Sequence, residues 1–330
     1  MKNLFKITLL TIIFLIVAQS TFIANTVAKN VYLEKKDDQF IIVDINGFGQ
    51  YDNIQDAIND AKPGSTIYVK NGEYNEILDI KKQITIFGED RKSTLINPIS
   101  EKNKYAVRLG ASGIIFKGFS VKNDAPGLYT SAIRITSSKI GIYNCNIYET
   151  PIGIAIWTSD NIINNCNIWS CTDEAIALIG SSYSICKNNQ IIDCKFYNNC
   201  DGIELQYSSY NQIMNCKFYD NSHTGIDAIS KSNNNNLISN CEIYDNKVHG
   251  IFFSSSSKNE IVDCSIYNNE DGNIITRGKS KDNIISSNSN IKTIQIKQTN
   301  SLLDKISNPI LQKIVNILNT ISFFKENYKF

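Results

Sequence analysis

An eight-residue phrase recurs through the middle of this chain, and its spacing restricts the fold more than any other feature. It reads NIINNCNI from Asn161, NQIIDCKF from Asn189, NQIMNCKF from Asn211, NLISNCEI from Asn236 and NEIVDCSI from Asn259, with degenerate copies from Ile140 and Asn283. Successive asparagines from Asn161 to Asn283 are 28, 22, 25, 23 and 24 residues apart. Between copies lies a second phrase: IGIAI from Ile152, EAIAL from Glu174, DGIEL from Asp201, TGIDA from Thr224 and HGIFF from His249. Repeats of 20–50 residues signal a solenoid, in which each unit buries its apolar face only against its neighbours. Within a repeat, apolar and polar residues alternate with a period of two (Ile203, Leu205; Ile213, Cys216, Phe218), which is a strand pattern. No stretch of residues 99–298 leaves room for an amphipathic helix between strands. The fold expected is therefore all-β: a single-stranded right-handed parallel β-helix of about eight to ten rungs, each of two or three short strands.

The ends read differently. Lys2 and Lys6, followed by the apolar run Ile7–Val17 and small residues at either Ala18-Gln19-Ser20 or Thr26-Val27-Ala28, have the layout of a secretory signal over residues 1–28. That run is shorter than the ~20 residues of a membrane-spanning helix, so the expected location is extracytoplasmic. Asn53 N-caps a short helix with Ile54, Ala57, Ile58 and Ala61 on its apolar side, in a cap and first-turn region over residues 40–98. The repeats occupy residues 99–298. From Asn308-Pro309 a second amphipathic helix is expected within 301–330, as a helical tail over the last rung or a membrane-surface or protein contact through residues 309–324.

Charge excludes one class of partner. Lys and Arg number 33 against 32 Asp and Glu, with no basic run, so nucleic acid is not expected. Cys145, Cys166, Cys194, Cys216, Cys241 and Cys264 hold one place in successive repeats and share a face with the apolar residues, an interior file of small hydrophobes. With no C-x-x-C and only His223 and His249, neither a metal site nor a cofactor is expected.

The run from Tyr51, YDNIQDAINDAKPGSTIYVKNGEYNEILDIKKQITIFGED, resembles the amino-terminal cap and first turns of the pectin-lyase-like superfamily. The rungs N-x-I-x-x-C-x-I-Y followed by G-I resemble the parallel β-helix repeat proteins of cell surfaces and the periplasm. This resemblance implies the fold; the superfamily's functions range from polysaccharide lyases, hydrolases, esterases and epimerases to non-catalytic surface proteins. NCDGI from Asn199 is similar to the first aspartate motif of polygalacturonases, VHG from Val248 to their histidine motif, and TRGK from Thr276 to their basic motif. The departure lies between: the adjacent aspartate pair of that family is here Ser222-His223-Thr224.

The outward residues of the G-I strands should form a column containing Arg134, Ala155, Ala177, Glu204, Asp227 and Phe252. Neighbouring rungs lie ~4.8 Å apart, so Glu204 and Asp227 should stand side by side and divide acid and base roles. Glu174, Asp201, Thr224, His249 and Asp271 are expected along the edge of the same strands. The catalytic candidates are thus Glu204, Asp227, Asp201 and His249. Arg134, Glu174, Arg277 and Lys279 are candidates for binding substrate, as are Trp169, Tyr197, Tyr219 and Tyr244 of an outward aromatic file that includes Tyr148 and Tyr267; these rings should stack into a ladder, which stabilises a solenoid in the favoured reading and binds sugar faces in the other. Two readings follow. The favoured one is a secreted or surface-exposed protein binding or scaffolding on polysaccharide, with cell-surface glycan as partner. The alternative is a polysaccharide lyase or glycoside hydrolase acting on acidic glycans.

Overall fold

The computed structural model describes residues 40–286, except 103 and 231, together with the backbone of Ile296–Thr299. The signal-like segment 1–28, the helix expected within 301–330 and its contact surface at 309–324 lie outside the described residues. No helix among the described residues is long and apolar enough to cross a membrane.

The chain winds as a right-handed parallel β-solenoid of about ten turns, and each full turn visits three sheets. The first sheet has 11 strands and carries the N-x-I positions; the second has 9 and carries the C-x-[IF]-aromatic positions; the third has 10 and carries the G-I strands. All pairings are parallel and in register from rung to rung, as in Ile163↔Ile191↔Ile213↔Ile238↔Ile261. Inward Ile, Leu, Phe and Cys residues form one continuous core from Ile41 to Ile274. The six cysteines of the file are buried free thiols within it. Burial pushes the Cys145 thiol up.

Corners between sheets are made by residues in the left-handed region. Before each cysteine stands Asn144, Asn165, Asp193, Asn215, Asn240 or Asp263, with φ between 52° and 56°. Asn and Asp tolerate this conformation better than other side chains that carry a Cβ, which explains why N-C and D-C recur. The repeat asparagines have a further task that their reading as turn formers omits. Asn161, Asn189, Asn211, Asn236 and Asn259 are buried, and each donates through Nδ2 to the side-chain oxygen of the next, at 2.9–3.1 Å, ending on Asn283. Asn199, Asn221, Asn246 and Asn269 form a second buried ladder before the third sheet. Both ladders satisfy corner backbone groups that the sheets leave unpaired.

The glycines of the G-I phrase are explained by close approach. A Cβ on Gly202 would lie 2.4 Å from the carbonyl oxygen of Gly225 and 2.6 Å from the Phe218 ring.

The helix expected after Asn53 is present as Ile54–Asp60, with Asn53 accepting from the Asp56 amide at 2.8 Å. Its remaining end groups are met from the next turn: Glu76 accepts from the Ile54 and Gln55 amides, and Lys82 donates to carbonyls at its last turn. It packs on the first strands of the first and third sheets.

Candidate active site

The outer face of the third sheet carries the expected column. Register runs Asp79↔Arg108↔Arg134↔Ala155↔Ala177↔Glu204↔Asp227↔Phe252↔Ile275, one residue per rung. The leading edge of the same strands pairs Glu174 with Asp201, and Thr224 with His249 and then Gly272. Asp271 therefore falls one place short of the edge column, because its rung begins its strand at Gly272.

Between these two columns the carboxyl groups converge. Asp201 and Asp227 are buried, at 5% and 4% exposure. Asp201 Oδ1 accepts from the Thr224 amide and from His223 Nδ1, both at 2.8 Å. His223 Nδ1 lies 3.9 Å from Asp227 Oδ2, while Asp227 Oδ1 is buried with no hydrogen-bond partner. One ligand-type atom from each of Asp201, His223 and Asp227 lies within 4.8 Å of the other two, a spacing that also admits a small cation. Glu174, paired in register with Asp201, feels the charges of Asp173 and Glu204, which extends the cluster over three rungs.

Crowding shifts these groups away from their ordinary behaviour. Burial, reinforced by Asp201 and Glu204, pushes Asp227 up to about 8. Burial and the charges of Asp201 and Asp173 raise Glu204 to about 7, and burial with Glu204 and Asp173 raises Glu174 to about 9. His223 moves up as well, first through its hydrogen bond to Asp201. Near neutrality the cluster thus holds protons that isolated carboxyls would have lost.

A groove of about 930 Å³ adjoins the cluster. Most rungs pass from the second sheet to the third through a few residues, and Pro151 alone suffices in one, but residues 122–130 make a longer excursion. This overhang is pinned by buried Asn123, which donates to the Ser131 carbonyl, and by Thr130, whose hydroxyl donates to the Pro126 carbonyl. Pro126, Leu128, Tyr129 and Pro151 give the groove apolar walls, and Asp173, which precedes Glu174 in the chain, lines it on the side of the cluster. Leu128 is 72% exposed.

The other sequence candidates separate from this centre. His249 lies one rung beyond Thr224, stacks on Phe252 at 5.3 Å, and is pushed down by burial. Arg277 pairs with Ser254 at the far end of the strand whose near end pairs with His249, and Lys279 follows it, so neither reaches the cluster. Arg134 is held between the Tyr105 and Trp157 rings and donates to the Tyr129 carbonyl. Tyr148, Trp169, Tyr197, Tyr219, Tyr244 and Tyr267 form one file on the second sheet, a different face, with centroids 4.6–5.7 Å apart and planes within 12° of parallel. Each inner ring is covered on both faces by its neighbours, so the file presents edges and hydroxyls to solvent. His223 is the site residue that sequence reasoning left out. Its signal was its place immediately before the edge residue Thr224, one rung after Asp201.

The solenoid and its three-sheet rung define a class, and the comparisons agree with it. The model of the right-handed beta helix region matches residues 84–197 and 184–291, and the chain belongs to that family. It is 26% identical over 172 residues to a putative pectinesterase/pectinesterase inhibitor 22 of Arabidopsis thaliana, covering 47% of this chain and 30% of that protein. It is likewise 26% identical over 179 residues to a probable pectinesterase 67 of the same plant, covering 43% and 52%. The chain therefore spans about half or less of these relatives. Among solved structures, the A-module of the Azotobacter vinelandii mannuronan C-5 epimerase AlgE4 superposes with a TM-score of 0.56 at 14% identity, over 75% of this chain and 93% of that one. The pectate lyase Pel9A gives 0.51 at 14%, over 80% and 79%. At such identities the likeness is one of fold.

Proposed function

We propose that this protein acts on a glycan chain by acid–base chemistry at Glu204, Asp227 and the Asp201–His223 pair. The observation that carries the reading is the convergence of these groups beside a groove, with Asp227 Oδ1 buried and unpartnered. Asp227, neutral up to about pH 8, is the proton donor to the glycosidic oxygen. Glu204, on the adjacent rung and titrating near 7, is the carboxylate that meets the sugar. Rung spacing of ~4.8 Å is close to the ~5 Å between the carboxyls of retaining glycosidases, and well below the ~6.5–9.5 Å that leaves room for a water in inverting ones. His223, held by Asp201, is drawn towards its positive form facing both carboxyls. That glycan-acting proteins appear among both the relatives and the structural neighbours supports the substrate class. The signal-like segment supports work outside the cytoplasm, and the Ile54–Asp60 helix serves in this reading as the cap of the first rung.

The test is release of reducing ends from a panel of neutral, acidic and amine-bearing glycans. Asp227→Asn and Glu204→Gln should each lower turnover by at least ~10²-fold while the far-ultraviolet circular dichroism is retained. No turnover on any glycan, with binding intact, would return the protein to a binding and scaffolding role.

A further inference from the structure

The passages from the second sheet to the third form one column along the solenoid, and the groove and the carboxyl cluster occupy successive parts of it. Backbone bonds step down this column: the Ile152 amide donates to the Thr130 carbonyl, Asp173 to Pro151, Asp201 to Asp173 and His223 to Cys200, at 2.9–3.3 Å. The lining of the groove ends at Asp173. The next rung carries Asp201 and Glu204, and the one after it His223 and Asp227. The overhang of residues 122–130 leads into the strand of Arg134, which stands three rungs before Glu204, on the order of 14 Å.

The overhang is tied down so that it keeps its shape. Arg134 donates to the Tyr129 carbonyl, while its guanidinium lies 5.3 Å from the Tyr105 ring centroid and 5.2 Å from that of Trp157. What this tie holds out is apolar: Pro126 and Leu128 are exposed, Leu128 to 72%. Pro151 completes the apolar part of the lining, and the exposed hydroxyl residues Ser170 and Thr172 border it. Apolar walls with hydroxyls beside them match a pyranose, whose C–H face is apolar and whose rim is hydroxyl. The volume of about 930 Å³ admits a segment of several sugars.

An extended 1,4-linked pyranose chain advances about 5 Å per sugar, close to the ~4.8 Å between rungs, so it lays about one sugar on each rung. With its reacting bond at Glu204 and Asp227, its further sugars fall on the rungs of Asp173 and Pro151 and then beneath Leu128 and Tyr129. From this alignment we infer that the overhang is a remote subsite for the same glycan, one that grips sugars several units from the reacting bond and makes the protein select long chains over short ones. This rests on the acid–base reading for the position of the reacting bond and adds what sets the preference among chains. Contacts at such a distance do no chemistry; they hold the chain so that the reacting sugar is oriented at the carboxyls. Arg134 is a positioning residue, acting through the Tyr129 carbonyl.

The experiment is calorimetric titration of the full chain carrying Asp227→Asn, so that the ligand is not shortened, with di-, tetra- and hexasaccharides of 1,4-linked N-acetylglucosamine, mannose and galacturonate. In one series at least, affinity should rise ~tenfold or more from the disaccharide to the hexasaccharide. Leu128→Asp, made at an exposed side chain, should remove most of that rise with the circular dichroism retained. Arg134→Lys keeps the charge but loses the planar stacking, and should reduce the rise severalfold. Equal affinity for all lengths in every series, no binding of any hexasaccharide, or a rise that Leu128→Asp leaves in place would each overturn the inference; a rise untouched by Arg134→Lys would overturn the positioning role. The two readings fail separately. Length-dependent binding with no turnover by the unsubstituted chain keeps the subsite and refutes the acid–base site, while turnover with equal kcat/KM for short and long chains does the reverse.

Discussion

Replacing Asn211 by alanine tests whether the buried asparagine ladder is what holds the rungs in register. Asn211 Oδ1 accepts from the Asn189 amide at 2.9 Å and from Asn189 Nδ2 at 3.0 Å. Its Nδ2 donates to the Cys186 carbonyl at 3.2 Å and to Asn236 Oδ1 at 3.1 Å. Truncation removes all four bonds. Asn189 Nδ2 still reaches the Thr158 carbonyl, and Asn236 Oδ1 still accepts from the Asn211 amide, so those two groups keep partners. The Asn189 amide keeps none and is buried, at a cost of about 1–3 kcal/mol, and the other lost bonds add about 1 kcal/mol each. The expected loss is about 4–6 kcal/mol, a large share of the ~5–15 kcal/mol that domains possess. Urea unfolding followed by circular dichroism should show a lower midpoint with an unchanged slope. A loss below about 1 kcal/mol would refute the reasoning and mean that water or a shifted corner replaces the ladder readily.

Three further outcomes follow from the same geometry. Glu174, Glu204 and Asp227 bind their protons more tightly folded than unfolded, so their contribution to stability is full below about pH 4 and declines as pH rises towards about 9. Glu174→Gln should therefore raise the unfolding midpoint at pH 9 and change it little at pH 4, as thermal melts at the two values will check. Turnover should follow a narrow bell, its acid limb set by Glu204 near 7 and its alkaline limb by Asp227 near 8, in pH profiles of kcat/KM. Tyr219→Ala removes two ring contacts, at 5.1 and 5.3 Å, and should cost about 1–3 kcal/mol in urea while leaving oligosaccharide binding in calorimetry unaltered.

What the sequence made legible were the features that repeat. The N-x-I and C-x-[IF] phrases place Ile191, Ile213 and their equivalents in the core, and one residue per rung puts Glu204 beside Asp227. Features that occur once were less readable. Residues 122–130 form the wall of the groove, yet as a single insertion they carry no periodic signal. His223 belongs to the cluster because its ring turns back to Asp201 on the preceding rung, a side-chain choice that spacing does not encode. Arg277 and Lys279 matched a basic motif in words, but the length of their strand carries them to its other end. The aromatic file was legible both as a file and as a stack, because one ring at the same place in every rung has only its neighbours above and below to lie against.

Carboxyl groups buried together on the third sheet keep their protons near neutrality. Carbon-13 NMR of the protein labelled at its Asp and Glu carboxyl carbons, titrated from pH 3 to pH 10, reads this directly. At least one carboxyl should titrate above pH 6 and disappear from that range in Asp227→Asn. A protein in which every carboxyl titrates below about pH 5, as isolated side chains do, would contradict it.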